Sequence, residues 1–386
     1  MNQKELSEIR RRFRPDKSSI SRVYGCYVNN NREIIAYIDE SLGLMREEEQ
    51  EMYLGLLKKS LSGTLGKNLI DIVFSTQQVA DSEEHRLLQT LRSTQLADPN
   101  ARETLYQKII ASIDMEVSNY LILLASEAYD VPRKAKDGVY HGEDADQVYT
   151  YFVCSICPVK APTLSLRFFH EENEFHSASS GPIVSPPELG FLYPAFDDRC
   201  ANIYNALFYS RNAAKLHREV IDAVFHVEEQ PMSAEEQKNA FGSALCDTLD
   251  QDCSYNVVQS VHQQICGRIE EHKESRDPER LDLSIQEVGG ILADSGVCDE
   301  KVEAFQQACE KQYGEDSTLD PKNIIESRKF EVCTPEVKVS VAPESSYLIE
   351  TRVIDGQKYL LIPAEEGVEI NGISVTIPGA RSASEE

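Results

Sequence analysis

The sequence lacks the segments that direct a chain into or across a membrane. No apolar run approaches the roughly 18 residues that a membrane span requires. The first residues, MNQKELSEIRRRFRPDK, are polar and basic and contain no apolar core of a secretory signal. We therefore expect no membrane association and predict a cytoplasmic protein. In that compartment the ten cysteines are expected to be reduced thiols.

Basic side chains are also scarce. Lys and Arg number 39 against 65 Asp and Glu, so the formal net charge is -26. A field of that sign repels phosphate backbones and anionic lipids, which argues against non-specific nucleic-acid or membrane binding. The negative charge is compatible with protein partners, metal ions and cationic ligands. The basic start is the exception, and we expect it to pair with an acidic patch of the same chain or, second, with an anionic ligand; its residues are Lys4, Arg10, Arg11, Arg12 and Arg14.

Complete catalytic and DNA-binding motifs are missing as well. The chain has neither a serine-hydrolase elbow nor the Asp-x-Asp start of a phosphatase. Residues 285–305 imitate a helix-turn-helix, but seven acids lie between Asp294 and Asp316, with only Lys301 and Lys311 as bases. The DNA groove would repel such a helix. We interpret this stretch as a helical hairpin used for packing.

The hydrophobic pattern predicts an α+β fold in several parts. Residues 1–212 mix strand and helix patterns and predict a mixed sheet with flanking helices. Residues 213–326 carry helical periodicity, and residues 327–379 alternate with a period of two around Asp-Gly and Asn-Gly turns. We predict a helical middle segment, a small antiparallel β-rich module and a frayed tail at 380–386.

Two apolar runs are predicted to form the centre of the N-terminal sheet. Tyr120–Ala128 and Val148–Ile156 flank a polar stretch that contains Pro132, Gly138 and Gly142. Runs of this length and composition favour buried strands, and the polar stretch between them predicts a loop that could carry chemistry. Whether that loop faces other candidate residues depends on the order of the strands.

The best candidate ligand-binding cluster is Asp197-Asp198-Arg199, which follows a buried apolar run. Adjacent carboxylates can act as acid and base or bind a metal, and an arginine can clamp an anion. Asp130, at the end of a central strand, would join them if the two strands are neighbours. The competing interpretation is a surface turn, because Asp is a common turn residue and Asp–Arg pairs are common on surfaces.

A zinc-like spacing is present but incomplete. Cys154-x2-Cys157 precedes His170-x5-His176, and thiolates with imidazoles suit Zn²⁺. The interval contains prolines and a strand-like segment instead of the helix that should carry the histidines. A redox pair is a third interpretation, but it lacks the helix start that it needs. We assign no metal ligand here, and a buried strand followed by a polar loop remains the alternative.

Eight stretches, spread over nearly the whole chain, carry a resemblance to a known family: ELSEIRRRF, RVYGCYV, LSGTLGKNLIDI, NYLILLASEAYDVP, CSICPV, GFLYPAFDDR, RKFEV and ETRVIDGQKYLLIP. On these stretches the chain resembles an uncharacterised domain-of-unknown-function family from Gram-positive bacteria of the gut type. The resemblance implies a bacterial cytosolic setting and a full-length family member, and it implies no activity, cofactor or catalytic residue.

Two classes of function remain. The first is a non-enzymatic binding or protein-interaction protein, which fits the absence of a complete catalytic constellation. The second is a hydrolase or transferase that acts on an anionic small molecule through Asp130, Asp197, Asp198 and Arg199, with or without a divalent ion. The sequence favours the first and names neither the ligand nor a cofactor.

Overall fold

The structure, a computed structural model, confirms the predicted α+β class, with 40% helix and 30% strand. It describes residues 1–114, 118–134, 140–179, 181–314, 317–364 and 368–375, with the backbone alone at 133–134 and 140–146. The chain forms two compact units. The first comprises Met1–Lys238 with Asp277–Arg280, and the second comprises Asn239–Arg276 with Leu281–Glu386.

The first unit holds the large sheet and the helices that cover it. Its elements are α1 (Gln3–Arg12), β1 (Arg22–Val28), β2 (Ile34–Ser41), α2 (Glu47–Lys59), β3 (Leu69–Val73), α3 (Thr76–Asp81), α4 (Glu83–Ser93), α5 (Pro99–Ser112), β4 (Asn119–Lys134), β5 (Tyr140–Lys160), β6 (Leu164–Phe169), β7 (Glu174–Ser179), β8 (Ile183–Val184), β9 (Leu189–Tyr193), β10 (Ala195–Asp197), β11 (Cys200–Asn202), β12 (Asn205–Ser210) and α6 (Arg218–Phe225).

The large sheet is antiparallel, with strand order β2-β1-β4-β5-β9-β12-β3, and β8 pairs with the end of β5. The two predicted central strands, β4 and β5, are neighbours in the middle of this order. Two hairpins stand outside the sheet, since β6 pairs with β7 and β10 pairs with β11. The β6–β7 hairpin is exposed, whereas Ala195 and Phe196 of the β10–β11 hairpin are buried.

Helices cover both faces of the sheet and form three layers. Along β5, Phe152 and Cys154 point to one face and Tyr151 and Val153 to the other, as the period of two in a strand requires. Helices α4, α5 and α6 pack on the first face, and α1 and α2 pack on the second. We call these the α5 face and the α1 face.

The helices begin where the sequence provides capping residues. The Asn2 side chain accepts hydrogen bonds from the first turn of α1, and the Asn2 backbone N–H donates to the Glu5 carboxylate. Ser82 caps α4, and Asp98 caps α5 with Pro99 at the first helical position. These three helix starts are therefore fixed by local hydrogen bonds of the residues that precede them.

The predicted loop between the central strands is mostly strand, which corrects the sequence interpretation. Strand β4 continues to Lys134 and β5 starts at Tyr140, so Pro132 and Gly142 lie within paired strands. Gly138 lies outside the described residues. The register shifts on both sides of Pro132, where a bulge accommodates a residue that has no backbone N–H to donate. Backbone pairing between the two long strands therefore keeps this polar stretch extended, although its composition predicts a loop.

The second unit has a helical core of its own. Its elements are α7 (Ala234–Leu249), whose first turn belongs to the first unit, α8 (Tyr255–Ser275), β13 (Leu283–Ser284), α9 (Ile285–Asp294), α10 (Asp299–Tyr313), β14 (Thr318–Leu319), α11 (Pro321–Ile324), β15 (Phe330–Cys333), β16 (Lys338–Val341), β17 (Glu350–Ile354), β18 (Gln357–Leu361), β19 (Glu369–Ile370) and β20 (Ile373–Ser374). Buried side chains of α7 to α10 pack together, with Phe241 edge-on to Phe305.

Residues 285–305 form two packed helices, α9 and α10, as the sequence indicated. The predicted hairpins at Asp355-Gly356 and Asn371-Gly372 are also present, and all four residues have positive φ. Helix α6, by contrast, lies within the predicted helical segment but packs on the α5 face of the first unit. The finer division at residues 212 and 326 stays a prediction.

Across the described ranges, no helix has both the length and the apolarity needed to span a bilayer.

Close packing between β1 and β4 gives a stability prediction. A Cβ added at Gly25 would lie 2.2 Å from the carbonyl oxygen of Ile122, whereas one added at Gly55 in α2 would meet nothing within 4 Å. We expect Gly25→Ala to lower the free energy of unfolding by about 1–3 kcal/mol through overpacking. Gly55→Ala should raise it by about 0.5–1 kcal/mol because alanine favours a helix. Urea unfolding measures both, and equal effects would contradict the sheet register.

Candidate functional site

The cluster Asp197-Asp198-Arg199 is a hairpin turn. Asp197 ends β10, Cys200 begins β11, and the two residues between them have φ values of 47° and 61°. Two successive left-handed residues are the geometry of a two-residue turn between antiparallel strands. The turn interpretation is therefore correct for the backbone, and what the side chains do depends on their contacts.

The Asp197 carboxylate is bound by two nearby groups of the same chain. Its carboxylate forms an ion pair with the amino group of Met1 and accepts a hydrogen bond from Asn202 Nδ2 at 3.0 Å. Burial alone would raise the pKa of Asp197, but the bonds from Met1 and Asn202 outweigh it and lower the pKa. A carboxylate with these partners serves to hold the turn against the start of the chain.

Arg199 is held by α1 and by β4. Its guanidinium donates to both carboxylate oxygens of Glu8 at 2.7 and 3.2 Å and to the carbonyl of Pro132 at 3.1 Å. The same Glu8 carboxylate accepts a hydrogen bond from the Tyr129 hydroxyl at 2.6 Å, and the Arg199 backbone N–H donates to Glu5 at 3.3 Å. The predicted anion clamp is thus already occupied by a carboxylate of the chain.

Asp130 does not join the cluster. Its neighbours along β4, Tyr129 and Val131, are buried on the α1 face, where Arg199 and Glu8 lie. Successive side chains of a strand point to opposite faces, so Asp130 points away from them and is exposed. The structure therefore brings together Asp197, Asp198 and Arg199, and it places Asp130 on the other side of the sheet.

A surface depression of about 800 Å³ opens beside this turn, between the start of α1, the segment after it, the end of β4 and the β10–β11 turn. We call it the basic depression. Its charged lining consists of five basic side chains, Lys4, Arg11, Arg12, Lys17 and Arg199, and three acidic ones, Glu5, Glu8 and Asp198. Burial raises the pKa of Glu5. The lining is positive although the chain as a whole carries a net charge of -26.

A buried carboxylate next to the basic depression was not identified from the sequence. Glu127 is 1% exposed in the middle of β4. One oxygen accepts bonds from Arg12 Nη2 at 2.7 Å, from the Ser19 backbone N–H at 2.9 Å and from the Ser19 hydroxyl at 2.7 Å. The other accepts the Tyr151 hydroxyl. A lone acid inside the apolar run LILLASEAY was the available indication, since buried carboxylates require partners.

The Cys–His set is not assembled. Cys154 belongs to the core of the α5 face and Cys157 to the core of the α1 face, because residues three apart on a strand point to opposite sides. His170 and His176 are exposed on the β6–β7 hairpin, and His176 lies 2.9 Å from Glu172. Within the described ranges, no group of three or more His, Cys, Asp or Glu side chains is arranged to hold a metal ion.

The β6–β7 hairpin presents an uncovered apolar face. Leu164, Leu166 and Phe168 alternate along β6, and Phe175 pairs with Phe168 across the hairpin, with ring centroids 5.1 Å apart. Leu164 is 79% exposed, Leu166 is 73% exposed and Phe175 is 65% exposed. We call these four residues the apolar hairpin face. Phe169 points to the opposite side of the same strand.

A scan against protein families matches residues 1–373 to the family described as "Domain of unknown function (DUF4317)". The chain belongs to this family. The match spans both units, so the DUF4317 domain comprises the large sheet, the helical core and most of the small hairpins. A search of the curated proteins finds no match.

The Glu127 network predicts a strong dependence on Arg12. Arg12→Met would leave the Glu127 carboxylate buried without its cation, and we expect a loss of about 3–5 kcal/mol in unfolding free energy. The double variant Arg12→Met/Glu127→Gln should lose less than the sum of the two single variants. Arg11→Met, a neighbouring exposed position, serves as control and should change stability by about 0.5 kcal/mol or less. Additive losses would show that the pair is not coupled.

The burial of the cysteines predicts their reactivity. Burial raises the pKa of Cys157 to about 12 and that of Cys154 well above its ordinary value. We expect Cys246, Cys298 and Cys333, which are exposed, to react rapidly with a thiol reagent in the native protein. Cys154 and Cys157 should react only on unfolding, which peptide mass spectrometry of the labelled protein measures. Rapid native labelling of this pair, or release of stoichiometric zinc, would contradict the structure.

Proposed function

We propose that this DUF4317 protein is a non-enzymatic interaction protein that binds a protein partner through the apolar hairpin face. The observation that carries the proposal is the exposure of its four large apolar side chains on one side of a projecting hairpin. Exposed apolar clusters of this kind mark interaction surfaces, and aromatic residues supply much of the binding energy at such surfaces.

The hairpin has little support from the rest of its unit. Strands β6 and β7 pair with each other and form a sheet of two strands, separate from the large sheet. A two-stranded hairpin is only marginally stable in water unless its face packs against another surface. A partner that covers Leu166 and Phe168 would remove this apolar area from water and stabilise the hairpin at the same time.

The charges around the hairpin tip indicate the chemistry of the partner. The tip carries Glu171, Glu172 and Glu174, with His176 placed between two of these carboxylates at 2.9 and 3.4 Å. An acidic rim beside an apolar patch matches a partner whose apolar surface is bordered by Lys or Arg. The net charge of -26 would favour the approach of such a partner over long range.

The alternative is a hydrolase or transferase that acts on an anionic small molecule through Asp130, Asp197, Asp198 and Arg199. It has less support, since Asp197 and Arg199 are bound to Met1 and Glu8 and Asp130 points away from them. We further propose that the protein works in a bacterial cytoplasm. The ten free cysteines support this setting, because a cytoplasm keeps thiols reduced.

Phe168 and Phe169 provide a matched pair for the test, because they are 39% and 40% exposed and point to opposite sides of β6. We expect Phe168→Ser to weaken binding of the partner about tenfold or more, and Phe169→Ser to change it about twofold or less. The partner is isolated with the wild-type chain from a bacterial extract, and its affinity for each purified variant is then measured. Equal losses, or no specific partner, would reject the proposal.

A further inference from the structure

The basic depression has no role in the proposed partner binding, and it is a second candidate site. We propose that it binds a small polyanion that carries two or more linked phosphate groups, held by Lys4, Arg11 and Lys17. This inference is independent of the hairpin, because it depends on different residues on the α1 face of the sheet.

Two of the five basic side chains that line the depression are held in ion pairs. Arg199 is neutralised by Glu8, and Arg12 is neutralised by Glu127. Lys4, Arg11 and Lys17 are exposed and make no ion pair among the residues that the structure describes. Three cations thus remain in the lining against the carboxylates of Glu5 and Asp198, in a chain of strongly negative net charge. A concave positive site in such a chain attracts anions locally, although the molecule as a whole repels them.

Helix geometry places two of the three cations on the same side of α1. Lys4 and Arg11 are seven residues apart, which places them two turns apart on the same side of α1. Lys17 comes from the segment that follows the helix, and Asp198 and Arg199 line the depression from the β10–β11 turn. The positive groups therefore border one concave space instead of lying along a flat helix surface.

The anion class follows from the donors and the volume. Arg11 offers a planar fork that matches phosphate oxygens bidentately, and each lysine adds a rotatable ammonium group. Lys4 and Arg11 lie about 10 Å apart along α1, so a ligand with separated charges can contact both, and a single small anion is less suited to do so. A space of about 800 Å³ falls within the usual range for small-molecule sites.

Glu8 also makes one wall of the depression rigid. Its carboxylate holds both Arg199 and the Tyr129 hydroxyl, so this wall of the depression is fixed before any ligand arrives. Arg12 lies over the Tyr129 ring at 4.8 Å from its centroid, which fixes the same wall from the other side. A rigid wall lowers the ordering cost of binding.

The test is calorimetric titration of the full chain with inorganic pyrophosphate, and with orthophosphate as the second probe. We expect one pyrophosphate per chain, bound about tenfold or more tightly than orthophosphate, with an affinity that falls as salt is added. Arg11→Gln and Lys4→Gln should each weaken pyrophosphate binding about five- to tenfold. Lys4→Arg, which keeps the charge, should restore most of the affinity.

Arg14→Gln is the matched control, since Arg14 is exposed, carries the same charge and does not line the depression. It should change the affinity about twofold or less. The absence of saturable binding, or an equal loss in Arg14→Gln, would overturn the proposal, the latter by showing a general charge effect. Phe168→Ser should leave pyrophosphate binding unchanged, so this result and the failure of the partner-binding proposal are distinguishable.

Discussion

The first unit depends on one buried charge, the carboxylate of Glu127 at the centre of the sheet. An ionised carboxylate in a protein interior is costly unless it is paired and hydrogen-bonded, and here Arg12, Ser19 and Tyr151 supply those bonds. These partners belong to α1, to the segment after it and to β5. The Glu127 carboxylate therefore holds three parts of the unit together. These are α1, which forms a wall of the basic depression, the segment that follows α1, and β5.

The α+β class and the local turns and helix starts could be predicted from the sequence, because local rules determine them. Asp98-Pro99 starts α5, and Asp355-Gly356 forms a hairpin turn, since these residues act on their own backbone. The extension of β4 and β5 through Pro132 could not be predicted, since pairing between two long arms depends on the partner strand and not on the composition of either. Strand order was out of reach for the same reason.

The candidate site was predictable only in part. The sequence placed Asp197, Asp198 and Arg199 together because they are consecutive, and it included Asp130 on the assumption that its strand was near. The strands β4 and β5 are indeed central, but one residue of offset along a strand reverses the direction of a side chain, which separates Asp130 from Arg199. The basic start of the chain could be identified from the sequence, but which of its side chains form ion pairs with other described residues follows from tertiary contacts alone. Arg12 faces Glu127, and Arg11, one position earlier, faces the depression.

The strand order also has a consequence for how the chain acquires its structure. Edge strand β3, at residues 69–73, pairs with β12, at residues 205–210, and with no nearer strand of the sheet. During synthesis β3 must therefore wait until nearly the whole first unit has been made, with its apolar residues unpaired in the meantime. Contacts of such long sequence separation close slowly and expose the chain to aggregation. We infer that β3 is the last strand to join the sheet. Until it joins, its unpaired apolar residues are the part of this unit most exposed to aggregation.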